Sequence, residues 1–594
     1  MSTGELKLNV KCQGGDKGQC TCKGAENIPG LKAEKRTNIP VPGFTKYVHW
    51  IPGGSGGTFT LDGELKDGGK IGSEGKIPIH DVKEVSVYYW NGNPSKNILL
   101  GITKKIGDSD DTTTTYYSKS SDGNDWNISV NALGELQALD DFNCRLNNAV
   151  PFEIQGSQSG STPKESKSEC IESKNTKPTG SPPPPSGSNY TIKSQKITDE
   201  SGKDAIISRL TLNGTPINIS LTREYIGTEI RLYSSLVNKN VPLMLEFKPP
   251  GNGKSRWFYS QNKDGNSWQE DAGHGFYSDN GQLCENLAKK LDDFTCQNHN
   301  GVTIDLSHKT SIAQQRYCCN EHGGKGKNNG KIYVKSVPVT CKKRHNESSV
   351  TAYIHSIGSG NTVAGIKFYS TTDSGNRKKV SANALKFPID GPVDIYTFYS
   401  SDSLDPVLIY VDSSRSKNPK AKTGWYRKSR NGYDSPWTKL RKQLRNITHH
   451  NFRDLGCLMW NSLVKVLKKR GCGTLTECPR SPELARADDL SEESEEDEEE
   501  KKPKVEGTSG SDGPQGGAYA PTVPPKTPTP ARSVGAAPLG LMAIFKISSG
   551  VFGGSGAVGL AGYHLYKNSR DPWVRQMSVY GSSRGTLDTS LSTE

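Results

Sequence analysis

The chain has 594 residues, a formal net charge of +13 and only 32% hydrophobic residues, with 64 glycines and 34 prolines. That length allows several domains, and so low an apolar content reflects polar linkers as well as surfaces. No nucleotide-binding glycine motif, Gly-x-Ser-x-Gly elbow or His-Glu-x-x-His stands in the chain, which argues against enzymatic activity and leads us to expect no cofactor.

Met1 to Val10 contains no apolar run of signal-peptide length. A cytosolic protein, insertion by an internal anchor, or a missing first exon would each agree with that. Further along, Tyr116-Tyr117-Ser118-Lys119-Ser120-Ser121-Asp122-Gly123-Asn124-Asp125-Trp126 returns as Phe258-Tyr259-Ser260-Gln261-Asn262-Lys263-Asp264-Gly265-Asn266-Ser267-Trp268. A looser copy runs from Trp425-Tyr426-Arg427 through Asn431-Gly432 to Trp437. Each is followed by a second block: Leu139-Asp140-Asp141-Phe142-Asn143-Cys144, Leu291-Asp292-Asp293-Phe294-Thr295-Cys296, and Asn451-Phe452-Arg453-Asp454-Leu455-Gly456-Cys457. Four residues after each cysteine stands Asn148, Asn300 or Asn461. A period well over 100 residues means tandem domains rather than a solenoid of short units.

The repeats occupy 6–155, 190–307 and 331–472. Val85 to Trp90, Leu243 to Phe247, Ile395 to Tyr399 and Val407 to Val411 read as strands. Asp122-Gly123 and Asp264-Gly265 suit hairpin turns, because glycine accepts positive φ without a Cβ clash. The tryptophan after each turn is expected to cover a core. Leu283, Leu287, Leu291 and Phe294 predict a helix before the second cysteine, and Trp437, Leu440, Leu444 and Ile447 predict one in the third unit. The alternation Val150, Phe152, Ile154 and Val302, Ile304, Leu306 predicts a strand after the cysteine; Leu463-Val464 and Val466-Leu467 fit a helix equally well. The fold class is therefore α+β: three tandem β-rich repeats, each with a helix, plus disordered linkers and a candidate C-terminal transmembrane helix. The paired carboxylates Asp140-Asp141 and Asp292-Asp293 are expected to mark the helix end at an exposed corner.

Residues 156–189, with Pro182 to Pro185, read as a stiff solvated linker. Residues 479–533, which open on an acidic run, read as a disordered stalk. Residues 547–566 carry no charge but His564 and are long enough to span a bilayer, and the basic residues Lys567, Arg570 and Arg575 open a short tail over 567–594.

Of 13 cysteines, repeat position suggests the bridges Cys12–Cys144 and Cys341–Cys457, with Cys284–Cys296 replacing them in unit two. Sequons at Asn127, Asn189, Asn213, Asn218, Asn346 and Asn446 add to an oxidising, extracellular reading. Cys319, His322, Cys341 and His345 form a weak zinc candidate by spacing; bridges or free thiols are the plainer reading. Residues 415–470 hold sixteen Lys/Arg against two Asp. Arg427, Lys428, Arg430, Arg441, Lys442 and Arg445 are the candidate polyanion-binding set, with Trp425, Tyr426, Tyr433 and Trp437 interleaved. The plain alternative is a solvated basic face.

The order Val85-Ser86-Val87-Tyr88-Tyr89-Trp90, Ile98-Leu99-Leu100, the Tyr-Tyr/Asp-Gly-Asn/Trp block and Leu-Asp-Asp-Phe-x-Cys resembles the expanded multigene families of piroplasm parasites of the Theileria and Babesia type, and is loosely similar to their FAINT domains. The resemblance implies a secreted or cell-surface, membrane-anchored product with a role in host interaction or antigenic variation. Its expected partners are a host protein or glycan, or an anionic polymer, with residues 547–566 meeting the membrane. Members of those families begin with a signal peptide, from which this chain departs. The competing expectation is a soluble polyanion-binding protein that takes nucleic acid or sulfated glycan on residues 415–470.

Overall fold

The computed structural model describes residues 5–479 apart from short internal stretches, the longest being 155–167 and 320–329. The first unit holds β1 (Glu5–Leu6), β2 (Lys32–Thr37), β3 (Phe44–Trp50), β4 (Phe59–Leu61), β5 (Ile79–Trp90), β6 (Asn97–Lys105), β7 (Thr112–Lys119), β8 (Trp126–Ile128), helix α1 (Glu135–Asn147) and β9 (Ala149–Ile154). The second holds the short helix α2 (Glu169–Glu172), β10 (Lys174–Pro178), β11 (Thr191–Asp199), β12 (Ile206–Leu212), β13 (Thr215–Pro216), β14 (Glu229–Ser234), β15 (Met244–Lys248), β16 (Arg256–Ser260), β17 (Trp268–Asp271), α3 (Glu285–His299) and β18 (Gly301–Asp305). The third holds β19 (Ile332–Thr340), β20 (Ser349–Ile357), β21 (Thr362–Tyr369), β22 (Arg377–Lys379), β23 (Ile389–Asp390), β24 (Val393–Tyr399), β25 (Pro406–Asp412), β26 (Gly424–Arg427), β27 (Thr438–Leu440) and α4 (Cys457–Lys468). The described chain is thus mostly β, with a few helices and several sheets.

One topology recurs three times. Six antiparallel strands run β2-β3-β5-β6-β7-β8, within an eight-stranded sheet that β4 and β1 join through β5, then β10-β11-β14-β15-β16-β17, then β19-β20-β24-β25-β26-β27. Between the second and third of these strands the chain leaves to form β4, β12 or β21. Each of these pairs in parallel with a strand that precedes the sheet: β4 with β1, β12 with β9, β21 with β18. Because β9 and β18 are the tails of units one and two, each unit builds part of the next. Parallel pairing needs a crossover connection, and here the whole following hairpin supplies it.

Each set of six strands is covered on both faces. One face carries the unit's own helix: Ala138 and Leu139 of α1 meet Phe44, Trp90 and Leu99, while Leu287, Leu291 and Phe294 of α3 meet Tyr233 and Trp257. Trp460, Leu463 and Leu467 of α4 meet Phe398, Tyr410 and Trp425. The opposite face carries the repeat tryptophans Trp126, Trp268 and Trp437, all buried in the expected core role. Asp264-Gly265 does form the turn between β16 and β17, with Gly265 at φ +69°; Asp122-Gly123 lies outside the described residues.

Several expectations are corrected. The third unit has no helix over Trp437 to Ile447: Trp437 borders β27, and Leu444 and Ile447 sit in turns that plug the core beneath α4. The helix falls later, and Cys457 is its first residue, whereas Cys144 and Cys296 lie near the ends of α1 and α3. Asn148 and Asn300 adopt left-handed φ of 50° and 52°, which stops the helix so that a strand can follow. Asn461 instead lies within α4 and accepts the Cys478 amide at 2.8 Å. Residues from Ser168 onward are also not a free spacer. Ser168 caps α2, Cys170 is disulfide-bonded, and β10 is an edge strand of the second sheet. Its polar composition suits an edge held by a covalent bond and a ladder rather than by apolar burial. Among the described residues no helix is long and apolar enough to cross a membrane. Residues 547–566, nearly all of 479–533, and 567–594 lie outside those described.

Candidate functional sites

The recurring carboxylate defines the junctions between units. Asp140, on α1, is fully buried and accepts from Arg209 of β12 at 3.1 Å (Nε) and 2.6 Å (Nη2). Asp292, on α3, repeats this with Arg377 of β22 at 2.8 and 3.1 Å. Tyr190 (2.6 Å), Thr303 (3.0 Å) and Lys367 (2.9 Å) also donate to it. Burial alone would push the Asp292 carboxyl up; Arg377, then Lys367, outweigh that and hold it well below the usual carboxylate range. The cavity beside this pair is about 10 Å³, room for at most one water. The second carboxylate, Asp141, is buried too and meets Arg145 at 3.0 Å. Neither corner is exposed as expected from adjacency on a helix, because the helix lies sandwiched between its own sheet and the next unit. Asp454, the third copy, is exposed and 3.9 Å from Lys342.

The three repeat cysteines do form bridges, to partners other than those expected. Cys144 joins Cys170, Cys296 joins Cys318 and Cys457 joins Cys478, with sequence separations of 26, 22 and 21 residues. Cys12 packs on the first sheet while Cys144 faces the core of the second unit, so those two never meet. Cys284 stands at the N-cap position of α3 and Cys296 lies on its last turn; at 1.5 Å per residue they are roughly 18 Å apart, far beyond a bridge. Cys341 lies in the same cluster as Cys457, but its Sγ sits 3.2 Å from Cys478 instead. Closing loops of this length is worth roughly 3.5 kcal/mol each through the unfolded chain.

The zinc candidate of the linker splits in two. Cys319 falls with Cys296 and Cys318, whereas Cys341 and His345 fall with Cys478. The nine residues of β19 separate the halves, and an extended strand of that length spans roughly 30 Å. His322 lies outside the described residues.

The basic set is likewise divided. Arg441, Lys442 and Arg445 are exposed on the turns after β27. Lys428 instead meets buried Asp405 at 3.2 Å and lies over the Phe368 ring; Arg427 is half-buried and Arg430 lies outside the described residues. Trp425, Tyr426 and Trp437 are core residues rather than a stacking surface: Trp425 faces the α4 side of the sheet and Tyr426 and Trp437 the opposite side, and both faces are covered. Arg453 and Lys468 are exposed on the same unit.

One constellation is not legible in the spacing of residues along the chain. Cys12, Cys20, Cys22 and His49 are all buried, and their sulfurs and a ring nitrogen lie within 4.8 Å of one another. His49 shares a face of β3 with Tyr47, and its Nε2 is 3.7 Å from Cys22 Sγ. Backbone amides of Asn9 and Cys22 donate to Cys22 Sγ (3.3 Å) and Cys20 Sγ (3.5 Å). Hydrogen bonds from Cys20 and then Cys22 hold the Cys12 thiol well below its usual range, while the same contact with Cys12 pushes Cys20 up to about 11. The Cys-x-Cys pair at 20–22 was the available signal. The histidine, 27 residues further on, gave none until β3 folded over the loop.

No family model matches this chain, and neither curated proteins nor solved structures give a match.

Proposed function

We propose that this chain is a non-enzymatic, multi-domain surface or secreted protein of a piroplasm-type parasite, serving host interaction or antigenic variation. The observation that carries the reading is covalent: each repeat's late cysteine is bonded to a partner about two dozen residues on, the pattern of a chain made for an oxidising compartment. Its buried charges support a binding scaffold rather than a reaction centre. Asp140–Arg209 and Asp292–Arg377 are consumed in joining consecutive units. Exposed turns and edge strands are then left to meet a host protein or glycan, with residues 547–566 as the membrane anchor. Surface biotinylation of intact cells, followed by an antibody to unit two, tests this. Labelling of the intact-cell fraction is expected; recovery only from cytosol, with every cysteine open to alkylation, overturns it.

The exposed Arg441, Lys442 and Arg445, with Arg453 and Lys468 nearby, favour a second reading in which the third unit binds a sulfated glycan or nucleic acid. Retention on heparin should fall linearly in log–log with salt, and Arg441→Ser/Lys442→Ser/Arg445→Ser should lower the slope by about two to three. An unchanged slope removes this reading.

A further inference from the structure

We infer that Cys12, Cys20, Cys22 and His49 form a structural zinc site that closes the core of the first unit. Four ligands of the right kind converge from two directions. Cys12, Cys20 and Cys22 come from the loops after β1, and His49 comes from β3, with relative exposures of 3%, 7%, 3% and 0%. Three thiolates and one imidazole are a standard tetrahedral zinc set. Zn–S near 2.3 Å and Zn–N near 2.0 Å place ligand atoms roughly 3.5–3.8 Å apart, and the 3.7 Å between His49 Nε2 and Cys22 Sγ already has that value.

Without a metal the cluster is poorly satisfied. His49 Nε2 is buried and looks into sulfurs, which are weak hydrogen-bond partners. Three thiols are an odd number, so any single bridge leaves one behind. Zinc binding releases the thiol protons to solvent and leaves three Zn–S bonds, one Zn–N bond and a net charge of −1. The amides of Asn9 and Cys22 already point at two of the sulfurs and favour that negative charge.

The place in the fold gives a second, independent argument. The core layer under Trp268 contains Cys144–Cys170, and that under Trp437 contains Cys296–Cys318. The equivalent layer under Trp126 contains Cys12, Cys20 and Cys22. Each unit thus has a cross-link in the same layer, covalent in the second and third and metal-mediated in the first. This inference does not depend on where the protein resides.

The test uses the full chain purified without reductant or chelator. Elemental analysis should find about one zinc per chain, and exchange into cobalt should give visible d–d bands with a thiolate charge-transfer band in the near ultraviolet. His49→Ala and Cys22→Ser should each lose the metal and the spectrum, whereas Cys284→Ser should keep both. Should a variant fail to fold, alkylation of the native wild type decides: Cys12, Cys20 and Cys22 should be protected until a strong chelator is added. A Cys12–Cys20 or Cys12–Cys22 disulfide in that protein, or a metal content that His49→Ala leaves unchanged, overturns the inference.

Discussion

Replacing Arg209 by alanine isolates the charge that joins the first two units. The Asp140 carboxylate, fully buried on α1, would keep its burial and lose both guanidinium contacts at 3.1 and 2.6 Å. Removing one partner of such a pair costs about 3–5 kcal/mol, because the remaining charge stays out of water without its guanidinium. The loss should appear where β12 pairs with β9, since Arg209 lies in that register opposite Pro151. A multi-domain chain does not unfold in one step, so amide hydrogen exchange is the right assay. Opening free energies at 149–154 and 206–212 should fall, speeding exchange by about a hundred- to a few-thousand-fold at tenfold per 1.4 kcal/mol. Asp140→Leu/Arg209→Met should recover most of the protection, because apolar groups of similar volume carry no desolvation penalty. Exchange within threefold of wild type in Arg209→Ala, or a double variant worse than the single, would refute the reasoning.

Four further outcomes follow. Asp292 is held below the usual carboxylate range, so the unfolded chain binds more protons and stability is present above about pH 4 and lost as pH falls below it. Denaturant midpoints should drop steeply there in wild type and less steeply in Asp292→Asn. His355 is buried and kept neutral to about pH 3 by desolvation, so the unfolded histidine takes up protons first and stability is lost as pH falls from about 6.5; His355→Asn should flatten that part of the profile for third-unit peptides. Cys144→Ser/Cys170→Ser should lower the stability of the second unit by roughly 3.5 kcal/mol in exchange-monitored denaturation, and mass mapping without reductant should find the loop in wild type. Asn218 exchanges hydrogen bonds with Trp268 at 2.7 and 3.3 Å, so in a secretory host it should stay unglycosylated while exposed Asn346 and Asn446 are modified, as site-resolved mass spectrometry would show.

Repetition was legible because the constraints behind it are local. An aromatic strand, an Asp-Gly turn that needs positive φ at Gly265, a tryptophan facing a core and an asparagine stopping a helix each write themselves into a few adjacent residues. So do period-two strands such as Val85 to Trp90. What adjacency could not decide was the partner. Asp140 and Asp292 look like surface residues until the next unit folds against them. Trp425 and Trp437 look like a stacking platform until the folded sheet buries them in cores on its two opposite faces. Cys144 finds Cys170 rather than Cys12 because its helix faces the following core, and His49 meets three thiols only when β3 crosses their loop. Composition and short-range pattern therefore determined the repetition, the β-rich character and the landmarks of the chain. The tertiary structure alone decided the pairings, because bonds, ion pairs and ligand sets depend on distances of a few ångströms between residues far apart in the chain.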